Sequence, residues 1–195
     1  MSFLANNYNR KKISFKKGIG SYLVATNGKK YLDFCSGIAV NSLGHANPRL
    51  VKALYKQAKR VWHVSNAFTI PEGEMLAKKL VKKTFADSVI FQNSGTEATE
   101  VAIKVARRYF YSIGKPKKNS ILCVKNSFHG RTIAAIFASG SKKMTEGFDQ
   151  KVCCFDHFTF GTHTTLNKRI SKNTASIIIE RITIKGGIKR NTDSC

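Results

Sequence analysis

Phe91-Gln92-Asn93-Ser94-Gly95-Thr96-Glu97-Ala98, continuing through Thr99 to Phe110, carries an apolar run into a turn of small polar residues and then into a periodic helix. Val89-Ile90-Phe91 reads as a buried strand. Ala98, Val101, Ala102, Val105, Ala106, Tyr109 and Phe110 recur at i, i+3, i+4, i+7, i+8, i+11 and i+12, one face of a helix. Ser94 and Glu97 have the spacing of a capping box. A strand ending in Ser-Gly-Thr at a helix N-terminus offers free N–H groups and hydroxyls to an anion, above all a phosphate. An ordinary capped helix in an α/β domain satisfies the same residues. At this point both readings stand.

On the N-terminal side, residues 1–20 are polar and basic and read as an extended arm. Gly18 and Gly20 begin no dinucleotide fingerprint, because the third glycine and the preceding strand are missing. Tyr22–Ala25 and Tyr31–Phe34 flank Asn27-Gly28, which predicts a hairpin with a type I′ turn. Ser36 to Ala46 is a small-residue loop. Asn47-Pro48 reads as an N-cap with proline in the first helical position, and Leu50, Val51, Leu54, Ala58 and Val61 form that helix's apolar face. Trp62 to Phe68 is a connection rich in groups able to bind a ligand. Pro71, Glu72 and Glu74 open a further helix with Leu76, Leu80 and Val81 as core contacts and lysines at its far end.

On the C-terminal side, Gly114 and Pro116 stop the long helix. Ser120–Val124 is a second buried strand, running into Asn126-Ser127-Phe128-His129-Gly130-Arg131-Thr132. A small helix over Ile133–Ala138, a strand-like Val152–Phe155, a short helix around Leu166 and Ile170, and a third strand over Ser176–Glu180 follow. Strands alternating with helices predict an α/β fold with a mainly parallel sheet and functional groups at strand C-terminal ends.

Composition narrows the function classes. The chain has 195 residues, 42% of them apolar, with 34 basic and 11 acidic side chains for a net charge of +23. The lysines are spread in pairs along the chain and no aromatic–basic interleaving marks a nucleic-acid module, so nucleic acid is not the expected partner. Five cysteines, two of them adjacent at Cys153-Cys154, form no disulfide framework and point to a reducing cytoplasm. Cys153, Cys154, His157 and His163 are too irregularly spaced for a zinc site, and no metal is expected. Met1-Ser2-Phe3 begins no secretory run, and no stretch approaches a membrane span.

Two sets of reactive side chains follow strand ends: Ser94-Gly95-Thr96 and Phe128-His129-Gly130-Arg131. A phosphate-binding turn, a flat aromatic ring and an arginine at one sheet edge would suit a planar phosphorylated cofactor and a carboxylate substrate. Taken singly, these residues read as a core Phe128, a structural His129 and a surface Arg131, and the plain structural reading prevails.

Asn93-Ser94-Gly95-Thr96-Glu97-Ala98 together with Ser127-Phe128-His129-Gly130-Arg131-Thr132 resembles the class III pyridoxal-phosphate-dependent aminotransferases, nearest to their acetylornithine and ornithine branches. Tyr31 to His45 and His63-Val64-Ser65-Asn66 agree, and the likeness runs from about residue 15 to 187. The resemblance implies a fold-type-I α/β transferase. It implies an arm and hairpin segment of a small domain over residues 1–48 and an incomplete large cofactor-binding domain over 49–195. It implies that Ser94, Gly95 and Thr96 bind the phosphate of pyridoxal 5'-phosphate. Phe128 would stack on the pyridine ring, Glu180 would end the next strand near the cofactor, and Arg131 would hold the substrate carboxylate. The implied reaction moves an amino group between N-acetylornithine and 2-oxoglutarate, in arginine biosynthesis, by a cytoplasmic homodimer.

Departures accompany the likeness. After Glu180 the family reads Pro-Ile-Gln-Gly-Glu-Gly-Gly, whereas this chain has Arg181-Ile182-Thr183-Ile184-Lys185-Gly186-Gly187, so Lys185 replaces an acid. The family's aspartate for the pyridine nitrogen and its Schiff-base lysine would fall beyond Cys195. The resemblance therefore implies no catalytic residue within these 195 residues and no turnover by them alone. Another class III donor (ornithine, 4-aminobutyrate or succinylornithine), a non-catalytic basic binding protein and a decayed reading frame are the alternatives.

Overall fold

The computed structural model describes residues 3–148, 152–159, 163–180, 182–183 and 189–190. The chain divides into two compact units, Met1–Thr84 and Phe85–Cys195.

The first unit is built on a three-stranded antiparallel sheet, β1 (Phe15–Ile19), β2 (Tyr22–Ala25) and β3 (Lys30–Leu32), in that order. Its first strand lies within the stretch expected to be an arm; Phe15 and Ile19 pair with Ala25 and Tyr22 across the ladder. The hairpin is also built differently from the expected two-residue type I′ turn. Ala25 and Lys29 are hydrogen-bonded around three residues, Gly28 N–H donates to Ala25 O, and Gly28 has φ +88° while Asn27 does not enter the left-handed region. This is the three-residue loop in which glycine takes the left-handed position after a tight turn. The small-residue loop carries a four-residue left-handed turn, α1 (Ser36–Ala39), with positive φ at Ser36, Gly37, Ile38 and Ala39. Asp33 secures its entrance by accepting from Cys35 and Ser36 N–H and pairing with His45 Nε2 at 2.7 Å. The hydrogen bond from His45 holds the Asp33 carboxyl below its usual pKa.

Helix α2 (Pro48–Ala58) starts where the Asn-Pro signal placed it; Asn47 accepts from Arg49 and Leu50 N–H. Helix α3 (Pro71–Val81) likewise opens on its proline, with Glu72 and Glu74 in the first turn. The apolar faces assigned to both helices are not covered: Leu50, Val51, Leu54, Leu76 and Leu80 are all exposed. Periodicity sets which side chains share a face, but it cannot supply the surface that face packs on.

In the second unit the core is a parallel three-stranded sheet in the order β5-β4-β6, with β4 at Ser120–Val124, β5 at Phe155–Phe158 and β6 at Thr174–Ile178. Every residue of β4 is buried. Its side chains alternate between two clusters, as strand geometry requires. Ile121 and Cys123 join Ile103 and Ala138 on one side, while Leu122 and Val124 join Phe158 and Leu166 on the other. The first face is covered by α4 (Gly95–Ser112) and α5 (Ile133–Ala138), and the second by α7 (His163–Arg169). Between α5 and β5 lies the short α6 (Lys142–Thr145), and Ile182–Thr183 (β7) pairs with Lys189–Arg190 (β8).

Three expectations for this unit need correction. Val89–Phe91 forms no strand, because no described segment pairs with it; Ile90 and Phe91 remain exposed. The strands expected at Val152–Phe155 and Ser176–Glu180 begin later and earlier, respectively, where pairing with β4 is available. On α4 the buried side centres on Ile103, outside the predicted stripe, and Val105 and Tyr109 are exposed. The helix is apolar over more than one face, and the sheet selects the Ile103 side. The altered segment at Arg181, Ile184 and Lys185 lies outside the described residues.

Candidate functional site

The start of α4 is fixed by its own side chains. Ser94 has an extended backbone, and its Oγ accepts from Glu97 N–H at 3.2 Å while donating to Glu97 Oε2 at 2.8 Å. Asn93 Nδ2 also donates to Glu97, at 3.4 Å. The glutamate therefore braces the capping hydroxyl instead of returning to the Ser94 N–H, a variant of the expected capping box. Ser94 is committed to holding the turn. Among the described residues, the N–H groups of Gly95 and Thr96 have no hydrogen-bond partner. A Cβ on Gly95 would meet nothing within 4 Å, so the first turn of the helix opens onto free space. Unpartnered N–H groups at the positive end of an 18-residue helix are a seat for an anion.

The second element is the loop after β4, which folds back onto that helix end. Gly130 has φ +126°, and a Cβ there would lie 2.8 Å from Thr96 Cβ. Only glycine allows this approach. Phe128 N–H donates to Glu180 Oε2 at 3.0 Å, so the carboxylate beyond β6 grips the loop backbone. The Thr132 hydroxyl donates to Glu100 Oε1, one turn further along α4. The Phe128 side chain is 45% exposed on this pinned backbone. The neighbouring Ser127 and His129 are buried, and Ser127 Oγ and His129 Nε2 have no hydrogen-bond partner among the described residues. Burial lowers the His129 pKa, with Glu180 opposing and His157 adding to the shift.

Arg131 is exposed, and among the described residues no carboxylate lies within ion-pair distance of it. It lines a cavity of about 630 Å³ together with Lys143, Ser141, Ile133, Ile136, Met144 and Phe148. Gly95, Thr96, Phe128, Glu180 and Arg131 thus gather around the C-terminal ends of β4 and β6. Sequence reasoning missed the Glu100–Thr132 bond and the burial of Ser127 and His129. Glu100 and Thr132 are 32 residues apart, and no local spacing connects them.

Other reactive groups among the described residues do not form a second centre. Burial pushes the Cys123 thiol up to about 12, so it is a core side chain without thiolate reactivity. Among the described residues no group of three or more His, Cys, Asp or Glu side chains could hold a metal ion. No helix among them is long and apolar enough to cross a membrane.

Residues 3–194 match the family described as aminotransferase class-III. The chain belongs to that family. It is 50% identical over 186 residues to the acetylornithine aminotransferase of Agrobacterium fabrum, covering 95% of this chain and 47% of that protein. The corresponding protein of Aquifex aeolicus is 44% identical over 194 residues, covering 99% and 51%. Among solved structures, the ornithine aminotransferase from Toxoplasma gondii superposes with a TM-score of 0.91 at 27% identity, over 98% of this chain and 46% of that one. The N-acetylornithine aminotransferase from Stenotrophomonas maltophilia gives 0.77 at 32% identity, over 96% and 46%. The chain spans about half the length of the curated relatives it matches. These class III relatives place the unit on a fold-type-I transferase architecture, of which the parallel sheet described above is a part.

Proposed function

We propose that this chain supplies the cofactor-phosphate and carboxylate-binding half of an acetylornithine aminotransferase acting with pyridoxal 5'-phosphate. The observation that carries the reading is the Phe128–Arg131 loop, held against Thr96 by Gly130 and against Glu180 through the Phe128 N–H. The residues fit the group. The free N–H groups of Gly95 and Thr96 and the Thr96 hydroxyl offer donors to a phosphate dianion, with Ser94 keeping the turn in shape. The half-exposed Phe128 ring offers a flat apolar face to a pyridine. Arg131 has no carboxylate partner among the described residues and presents a planar fork to that of a substrate. When bound, the cofactor supplies the electron sink that lets an amino group pass from one carbon skeleton to another.

N-acetylornithine as donor is supported by sequence relatives named acetylornithine aminotransferase, at 44–50% identity, and 2-oxoglutarate as acceptor is part of the same proposal. The higher TM-score of the ornithine enzyme measures backbone shape, in which the side chains that choose a donor do not enter. Homodimer assembly, a cytoplasmic location and the arm-and-hairpin segment over residues 1–48 ahead of the cofactor domain over 49–195 belong to the same proposal.

Equilibrium dialysis of the 195-residue chain against pyridoxal 5'-phosphate and against pyridoxal tests it. The phosphorylated form should bind at least about tenfold more tightly, the equivalent of about 1.4 kcal/mol or more. Equal binding of the two would remove the phosphate seat and the reading with it.

A further inference from the structure

Glu97, Glu100 and Glu180 are three of only eleven acidic residues in a chain of net charge +23, and all three are spent on holding backbone or hydroxyl groups around one site. Two of them have evident tasks. Glu97 braces the Ser94 cap, and Glu180 holds the Phe128 N–H. The third is different. Glu100, half-buried on α4, accepts from the hydroxyl of Thr132, the residue that precedes α5 and immediately follows Arg131. Thr132 is the N-cap of α5, yet its hydroxyl makes no capping hydrogen bond to that helix. A threonine at this position ordinarily closes its own helix. Here the cap is given up, and the hydroxyl is turned to a carboxylate on another element, as a charge-assisted hydrogen bond.

We infer that Glu100 is a positioning residue: by holding Thr132 it fixes the direction of Arg131 relative to the N-terminus of α4, and so sets the distance between bound phosphate and bound carboxylate. The inference rests on the proposed function. Among the described residues three contacts fasten the loop, and each acts on a different part. Glu180 holds Phe128, Gly130 closes on Thr96, and Glu100 holds the far end, next to the arginine. Removing the third leaves the first two in place. The aromatic and phosphate positions then stay where they are, while the arginine backbone gains freedom. Because Arg131 is exposed and has no ion-pair partner among the described residues, no second contact of that kind replaces the lost one.

The test separates the two ligands in the 195-residue chain. Glu100→Ala and Thr132→Val should each weaken 2-oxoglutarate binding by about tenfold, the scale of one lost charge-assisted hydrogen bond, while pyridoxal 5'-phosphate affinity stays within about twofold. Glu100→Gln and Thr132→Ser, which keep an acceptor and a donor, should restore most of the loss. The double variant should be no weaker than either single one. Hydrogen exchange should rise over 131–133 in Glu100→Ala and stay unchanged over 120–124. Equal losses for both ligands, additive losses in the double variant, or unchanged exchange at 131–133 would overturn the positioning role. If the unmodified chain binds neither ligand, the proposed function fails, and the exchange measurement alone decides whether Glu100 holds the loop.

Discussion

Gly130 shows how far one residue's conformation controls this site. Its φ of +126° and its approach to Thr96 exclude any side chain. Gly130→Ala should lower stability by about 1–3 kcal/mol through backbone strain and the clash together. It should also weaken pyridoxal 5'-phosphate binding, since the loop must retreat from the helix end. A urea titration and the dialysis measurement check the two effects separately. His129 adds a pH dependence of known sign. Its folded pKa lies below the unfolded value of about 6.5, because burial disfavours the imidazolium. Below that value the unfolded chain binds more protons than the folded one, so stability is present above about pH 6.5 and falls as pH drops towards the folded pKa. The urea midpoint should therefore fall between pH 7 and pH 5.5, and the fall should shrink in His129→Gln. An equal fall in both would assign the effect to other groups.

At the scale of elements, the N-terminus of α4 was legible because its contacts are local. Ser94 and Glu97 lie three residues apart, and the hydroxyl–carboxylate–amide triangle they form needs nothing from elsewhere. Ser94→Ala should cost about 1 kcal/mol, read as a lowered urea midpoint with unchanged slope. Asn47→Ala at α2 should behave in the same way, since Asn47 accepts two N–H groups. Helix starts at Pro48 and Pro71 were predictable for the same reason. Strands were less so. Val89–Phe91 has the composition of a strand and no ladder among the described residues, while Phe15–Ile19 looked like an arm and is paired. A strand exists only with a neighbour, and the neighbour is not written in the local sequence.

Across the whole molecule, the two faces of β4 are covered, but much apolar surface elsewhere is not. Phe85, Ile90, Val105 and Tyr109 in the second unit are exposed, and among the described residues β5 and β6 are the edge strands of a three-stranded sheet. Leu50, Leu54 and Leu76 in the first unit are exposed as well. Exposed apolar side chains and strand edges favour association. The isolated chain should bind a hydrophobic dye strongly and sediment as species heavier than its 21.7 kDa, increasingly so at higher concentration. A sharp monomer boundary at all concentrations would contradict this. Its net charge of +23 opposes association at low salt, so added salt should promote it.

Local interactions were readable from the residue order alone: the capped start of α4, the proline-opened helices, the buried run Ser120–Val124 and the motif residues flanking them. Their partners lie within a few positions or within one run of side chains. Only the folded chain decides the rest. Glu180 meets Phe128 across 52 positions, Glu100 meets Thr132 across 32, and Gly130 closes on Thr96. The choice of Ile103 over the predicted stripe was made by the sheet against which α4 packs. Such contacts depend on where two distant elements are brought together, and parallel strand order sets that, not spacing along the chain. Ser94-Gly95-Thr96 was recognisable as a possible anion seat from its own chemistry; that the backbone of the Phe128–Arg131 loop is brought against Thr96 at Gly130 is a property of the tertiary structure.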